Sequence, residues 1–231
     1  MIKSSKGPER IEFMPYFENI SHAQMDVLKE IGNIGAGNAA TALSKLLNKK
    51  IDMKVPDVKI ESFNNIMENI GGHDRVVASI FLRVEGDAPG SIFFILPLEQ
   101  AEYYIKTATS DTSFSFSKPP YAELSLSFLQ ELGNILSGSY LSALADLTKL
   151  DLYPSVPALG IDMIGAVLTY GLIEISRESD SAIVIDTVLT DDIKNKSDSV
   201  RGHFFFLPDP GSSEIIFKSL GVLKDEHGGS N

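Results

Sequence analysis

The chain contains no cysteine. Disulfide scaffolds, thiolate zinc sites and cysteine nucleophiles are thereby excluded, and the absence is compatible with a reducing compartment. Runs of lysine or arginine are missing too. With 31 acidic against 20 basic residues the formal charge is −11, and no basic stretch could track a phosphate backbone, so nucleic acid is not an expected partner. The four histidines do not cluster. No uninterrupted apolar run reaches the roughly eighteen residues of a membrane span. The start, MIKSSKGPER, continues into acidic and aromatic residues rather than a signal-peptide core. The expectation is a soluble cytoplasmic protein without membrane contact.

What the chain does hold is one polar signature written twice. Asp26, Glu30, Asn33 and Pro56 are matched by Ser127, Glu131, Asn134 and Pro157, each displaced by 101 positions. A repeat kept only in core residues would report a duplicated fold. This one also keeps a carboxylate, an amide and their spacing, so the chemistry is duplicated with the fold. The 231 residues suffice for two halves sharing one core. The expected organisation is a single domain over 1–231, made of repeats at about 21–108 and 120–223, with a disordered tail at 224–231.

Local signals order the elements. A short helix is expected at Glu9 to Phe17. Ser21 with Gln24 forms a capping box and Ile20 can staple onto Met25, which predicts a helix from His22 through Leu47. A strand Ile51 to Val55 ends at Pro56, which removes a ladder donor, and a short helix Ser62 to Glu68 stops at Gly71-Gly72. Strands Arg75 to Val84 and Gly90 to Leu96 form an antiparallel hairpin, followed by a helix Leu98 to Ala108. The second half retraces this path. A long helix runs from Pro120 to Ala145, a strand from Leu152 to Val156 precedes Pro157, and a buried helix spans Ile164 to Ile175. Strands Ala182 to Leu189 and Gly202 to Leu207 close the half. Pro97 and Pro208 are 111 apart, so about ten extra residues enter the second half, placed in Thr190 to Ser199.

On a helix, positions i, i+4 and i+7 share one stripe. Asp26, Glu30 and Asn33 therefore line one polar face, as do Ser127, Glu131 and Asn134. Leu28, Ile31, Leu129 and Leu132 lie opposite and should pack on the sheet, leaving the polar stripes outward. A neutral amide both donates and accepts, so it can hold a water in line with phosphorus without being consumed. A carboxylate one turn away can clamp a partner's lysine or arginine. Neither supplies a nucleophile or a metal cage. The constellation suits a protein that completes another protein's active site. One Glu-x-x-Asn is common on solvated helices, but an unfavourable interior Asn repeated in register points to a retained purpose. Asp26 and Ser127 are read as partner contacts, and Pro56 and Pro157 as structural strand stops.

Rival motifs fail. Gly35-Ala36-Gly37-Asn38-Ala39-Ala40 matches a dinucleotide pattern, yet follows a capped helix rather than a strand, and its second copy, Leu136-Ser137-Gly138, loses the first glycine. These small residues are read as permitting close helix packing, which also argues against a cofactor-dependent oxidoreductase. Asp191, Asp192 and Asp198 are too irregular for a calcium loop and are read as a solvated cluster.

The pattern [Asp/Ser]-x-x-x-Glu-x-x-Asn, then 22 residues, then Pro, resembles the signature of the CheC/CheX/FliY phosphatases of bacterial chemotaxis. Both copies are intact. The run from Leu28 through Leu43 is most similar to the CheC branch, and the resemblance extends from about Ser21 to Val222. Two motif copies fit the CheC type rather than the single-site CheX type, and a further domain of the FliY kind is not expected. The resemblance implies an α+β fold with pseudo-twofold symmetry, in which an antiparallel sheet carries the two long motif-bearing helices side by side on its surface. It implies dephosphorylation of the phosphorylated response regulator CheY. Glu30 and Glu131 would grip a regulator lysine, Asn33 and Asn134 would position the attacking water, and the regulator would bring its own aspartyl phosphate and Mg²⁺, so that the chain has no cofactor of its own. The deamidase CheD is an implied second partner. A monomer is expected from the internal duplication. The alternative is a non-catalytic adaptor that binds CheD or CheY.

Overall fold

The computed structural model describes residues 20–172, 181–191 and 200–222. The expected leading helix at Glu9 to Phe17, the insertion from 192 on and the tail from Lys224 lie outside the described residues.

Helix α1 (His22–Leu47) has the predicted bounds. Ser21 Oγ accepts from the Gln24 N–H at 3.3 Å, and the Ser21 N–H donates to Gln24 Oε1 at 2.8 Å. Gln24 is buried because its amide also donates to the Val222 carbonyl at 2.9 Å, tying the start of α1 to the end of the described chain. Strand β1 (Ile51–Ser62) and helix α2 (Phe63–Ile70) follow, the latter capped by Ser62 and ended by Gly71 in the left-handed region. Then come β2 (Val76–Gly86), β3 (Gly90–Pro97) and α3 (Leu98–Thr109). The second half supplies α4 (Glu123–Thr148), β4 (Leu152–Pro154), β5 (Ala158–Met163) and α5 (Ile164–Leu172). It closes with β6 (Ser181–Asp191), β7 (Val200–Pro208) and α6 (Ser212–Ser219).

The described strands make one antiparallel sheet in the order β1, β6, β7, β3, β2, β4, with β5 also paired to β2. The hairpin β2–β3 forms as predicted. Each half, however, lends its first strand to the hairpin of the other. β1 pairs with β6, while β4 and β5 pair with β2. The centre, where β3 meets β7, sets Phe94 opposite Phe204. Because side chains alternate across a strand, the continuous apolar runs of β3 and β7 serve two cores. Ile92, Phe94, Phe204 and Phe206 pack beneath α1 and α4, whereas Phe93, Ile95, Phe205 and Leu207 pack against α2 and α5. Buried residues of α3 and α6 join the first of these cores.

Three expectations change. Pro56 does not end its strand. It sits inside a 12-residue β1, at a bulge where the three steps from Lys54 to Asp57 face two steps of β6. An edge strand with a bulge tolerates the missing donor. Helix α4 starts at Glu123 rather than Pro120. Tyr121 is held back in a cluster with Phe114 and Phe116, its hydroxyl donating to the Phe116 carbonyl at 2.9 Å. Finally, the strand near Pro157 stops at Pro154, and a second strand, β5, resumes beyond the proline.

Candidate functional site

Helices α1 and α4 lie together on one face of the sheet and approach closely at Gly35. A Cβ there would stand 2.7 Å from Tyr140 Cδ1 and 2.9 Å from Tyr140 Cα. Close packing is thus the use of this glycine, as the sequence suggests. Gly37 and Gly138 face open space and play no such part. Leu28, Ile31, Leu129 and Leu132 are buried toward the sheet. Asp26, Glu30 and Asn33, and likewise Ser127, Glu131 and Asn134, are exposed on the outer faces. The structure therefore brings each trio onto an outward stripe. Beside the amides lie Ile34, which is exposed, and Ile135, which is half-buried.

Both motif prolines belong to bulges of the same kind. In the second copy the four steps from Pro154 to Ala158 face three steps of β2, from Val84 to Phe81. Each bulge carries the dipeptide Val-Pro, as Val55-Pro56 and Val156-Pro157. The constant separation between Asn and Pro follows, because it sets the bulge beside the helical turn that bears the amide.

The two copies use that neighbourhood differently. In the first, Val55 is buried and its N–H donates to Asn33 Oδ1 at 3.2 Å, while Asn33 Nδ2 donates to the Lys29 carbonyl at 3.0 Å. In the second, Val156 is 86% exposed. Ser155 takes over the backbone pairing, its N–H donating to the Arg83 carbonyl at 2.8 Å and its hydroxyl accepting from the Arg83 N–H at 3.0 Å. Gln130 Nε2 donates to the Pro157 carbonyl at 3.1 Å. The Asn134 side chain makes no hydrogen bond among the described residues. Sequence reasoning passed over Gln130 and the valines. The duplicated Val-Pro dipeptide is the signal that could have found the latter.

No group of three or more His, Asp or Glu able to hold a metal ion occurs among the described residues. None of the helices there is long and apolar enough to cross a membrane.

The comparisons with known proteins bear on both copies. The CheC-like family model matches residues 24–60 and 124–161, the two helix-and-bulge units. The CheY-P phosphatase CheC of Bacillus subtilis is 50% identical over 209 residues, covering 90% of this chain and 99% of that protein. This chain belongs to the CheC-like family. Another relative of this family member is the flagellar motor switch phosphatase FliY of B. subtilis, 28% identical over 143 residues that cover 61% of this chain and 37% of FliY. Among solved structures, Thermotoga maritima FliY superposes with a TM-score of 0.71 at 17% identity, covering 87% of this chain and 98% of that one. The FliM middle domain of H. pylori gives 0.63 at 10% identity, covering 87% and 99%. These two likenesses concern the fold.

Proposed function

We propose that this chain is a phosphatase of the phosphorylated chemotaxis regulator CheY, acting through both copies of the Glu–Asn stripe. The observation that carries the reading is the pair of exposed, chemically matched stripes in a chain 50% identical to a CheY-P phosphatase. Glu30 and Glu131 dock a lysine of the regulator by a charge-assisted hydrogen bond. Asn33 and Asn134 hold a water in line with the phosphorus. Attack of that water forms the new oxygen–phosphorus bond and breaks the bond to the aspartyl oxygen, releasing inorganic phosphate and a free carboxylate. The regulator would carry its own Mg²⁺, which would supply neutralisation of the charge on the phosphoryl oxygens. This chain contributes position and the exclusion of badly placed waters.

Asp26 and Ser127, a turn before the glutamates, are contact residues at the rim of the docked regulator. Pro56 and Pro157 hold the bulges. The working form is a cytoplasmic monomer, since the duplication already sets two stripes side by side, and CheD is a second partner. An adaptor that binds CheD or CheY without turnover is the competing reading. It draws support from Asn33, whose amide is already engaged with its own backbone.

Steady-state kinetics on phosphorylated CheY divide these roles. Glu30→Gln with Glu131→Gln raises KM with little change in kcat, and Asn33→Ala with Asn134→Ala lowers kcat with little change in KM. An adaptor gives no acceleration to lose, and its asparagine variants weaken binding instead.

A further inference from the structure

Resting on the phosphatase reading, the unlike surroundings of the two amides separate the copies. In the first, Asn33 is both the proposed water-positioning group and, among the described residues, the one side chain hydrogen-bonded to the Val55-Pro56 dipeptide. Its oxygen is committed to the Val55 N–H at 3.2 Å and its nitrogen to the Lys29 carbonyl at 3.0 Å. The amide lies back along its own helix. To face a docked phosphoryl group it must give up the bond to the strand.

In the second copy these tasks are divided between two residues. Gln130, directly before Glu131, reaches the Pro157 carbonyl at 3.1 Å, so the connector between β4 and β5 is anchored to α4 without Asn134. Ser155 fixes the same connector to Arg83 of β2. Val156 is turned out to 86% exposure and does not occupy the place buried Val55 takes in the first copy. Position 29, which matches Gln130 in the repeat, is a lysine, and Asn33 does the holding there.

We propose that Gln130 is a positioning residue of the second copy: by anchoring the Pro157 carbonyl it leaves the Asn134 amide free to orient water, and so makes the second copy the faster of the two. Without Gln130 the connector settles toward α4 as the first bulge does, and the Val156 N–H captures Asn134. One net hydrogen bond separates a held amide from a free one, which corresponds to a rate factor of about five.

The test uses full-length protein and phosphorylated CheY under Mg²⁺. Asn33→Ala, which reports the second copy, should turn over about fivefold faster than Asn134→Ala, which reports the first. Adding Gln130→Met to Asn33→Ala should lower kcat to about the rate of the first copy at unchanged KM, since Glu131 still docks. Gln130→Arg in the same background keeps a planar N–H donor for the Pro157 carbonyl and should restore kcat, whereas Gln130→Lys, which copies position 29 of the first repeat, should behave as Met does. Equal rates for the two single-asparagine variants, or a kcat unmoved by Gln130→Met, would overturn the assignment. A melting midpoint lowered equally by Met and Arg, with kcat falling in both, would assign Gln130 to fold stability alone and overturn it as well. Failure of the phosphatase reading looks different: wild type itself would leave the spontaneous rate of phosphate loss unchanged, and an Asn33→Ala/Asn134→Ala double variant that kept an accelerated rate would remove the asparagines from the reaction.

Discussion

Asn33 and Val55 are joined by a hydrogen bond of 3.2 Å from the strand N–H to the side-chain oxygen, one residue before the motif proline. The first copy of the signature is therefore a structural contact as well as a proposed site. Val55 is buried, so removing its acceptor leaves a buried donor unpaired. Asn33→Ala should cost about 1–2 kcal/mol in denaturant unfolding. Asn134→Ala removes no such contact and should change stability by less than about 0.5 kcal/mol. Equal losses would mean that the two bulges are held alike.

The approach of α1 to α4 at Gly35 sets a second contrast. A methyl group there meets the backbone and ring of Tyr140 at 2.9 and 2.7 Å, and the Tyr140 hydroxyl is itself fixed to Thr187 Oγ1 at 2.9 Å. The ring cannot swing aside without breaking that buried pair. Gly35→Ala should destabilise by about 1–3 kcal/mol through overpacking. Gly37→Ala, also in α1 but facing open space, should stabilise by about 0.5–1 kcal/mol. Thermal or urea melts of the two variants give opposite signs if the helices cross as described.

Acid should loosen the joint among β1, β6 and β7. The His203 hydrogen bond at 3.3 Å holds the Asp186 carboxyl below its ordinary 3.8; burial opposes this, and Lys59 at 3.5 Å assists. A depressed carboxyl stabilises the fold fully above its unfolded pKa, and that contribution disappears as pH falls through the folded value. At neutral pH, Asp186→Asn should cost about 1 kcal/mol, a figure kept small by solvent access to the pair. The gap from wild type should close in melts taken well below pH 3.8. A gap that persisted there would trace to packing instead of charge.

The exchange of first strands between halves has a thermodynamic consequence. With β1 bonded to β6 and β4 and β5 bonded to β2, neither half holds a complete sheet. Unfolding of the full chain should be one transition, with far- and near-ultraviolet circular dichroism coincident. Two separable transitions would show that each half carries its own core.

The local parts of this structure were legible because their causes are local. The capping box predicts α1 to its terminal residues, and the 101-residue offset predicts which side chains share the outward stripes. Gly35 announces close packing through its place beside other small residues. Nothing local reports which strand pairs with which, so the exchange of β1 with β4 and β5 was not legible. Pro56 reads as a stop because proline breaks a ladder, and only its position on the sheet edge, a property of topology, turns the stop into a bulge. The cluster of Tyr121 with Phe114 and Phe116 delays α4 by three residues for a reason lying outside the helix. Gln130 escaped notice because its partner, the Pro157 carbonyl, is a backbone atom 27 residues away.

The most direct measurement is phosphate release from phosphorylated CheY under Mg²⁺, with wild type, each single asparagine variant and the Asn33→Ala/Asn134→Ala double variant compared. Wild type should accelerate release, each single variant should retain part of that acceleration, and the double variant should fall to the spontaneous rate. Wild type that leaves the spontaneous rate unchanged, or a double variant as fast as wild type, would contradict the account.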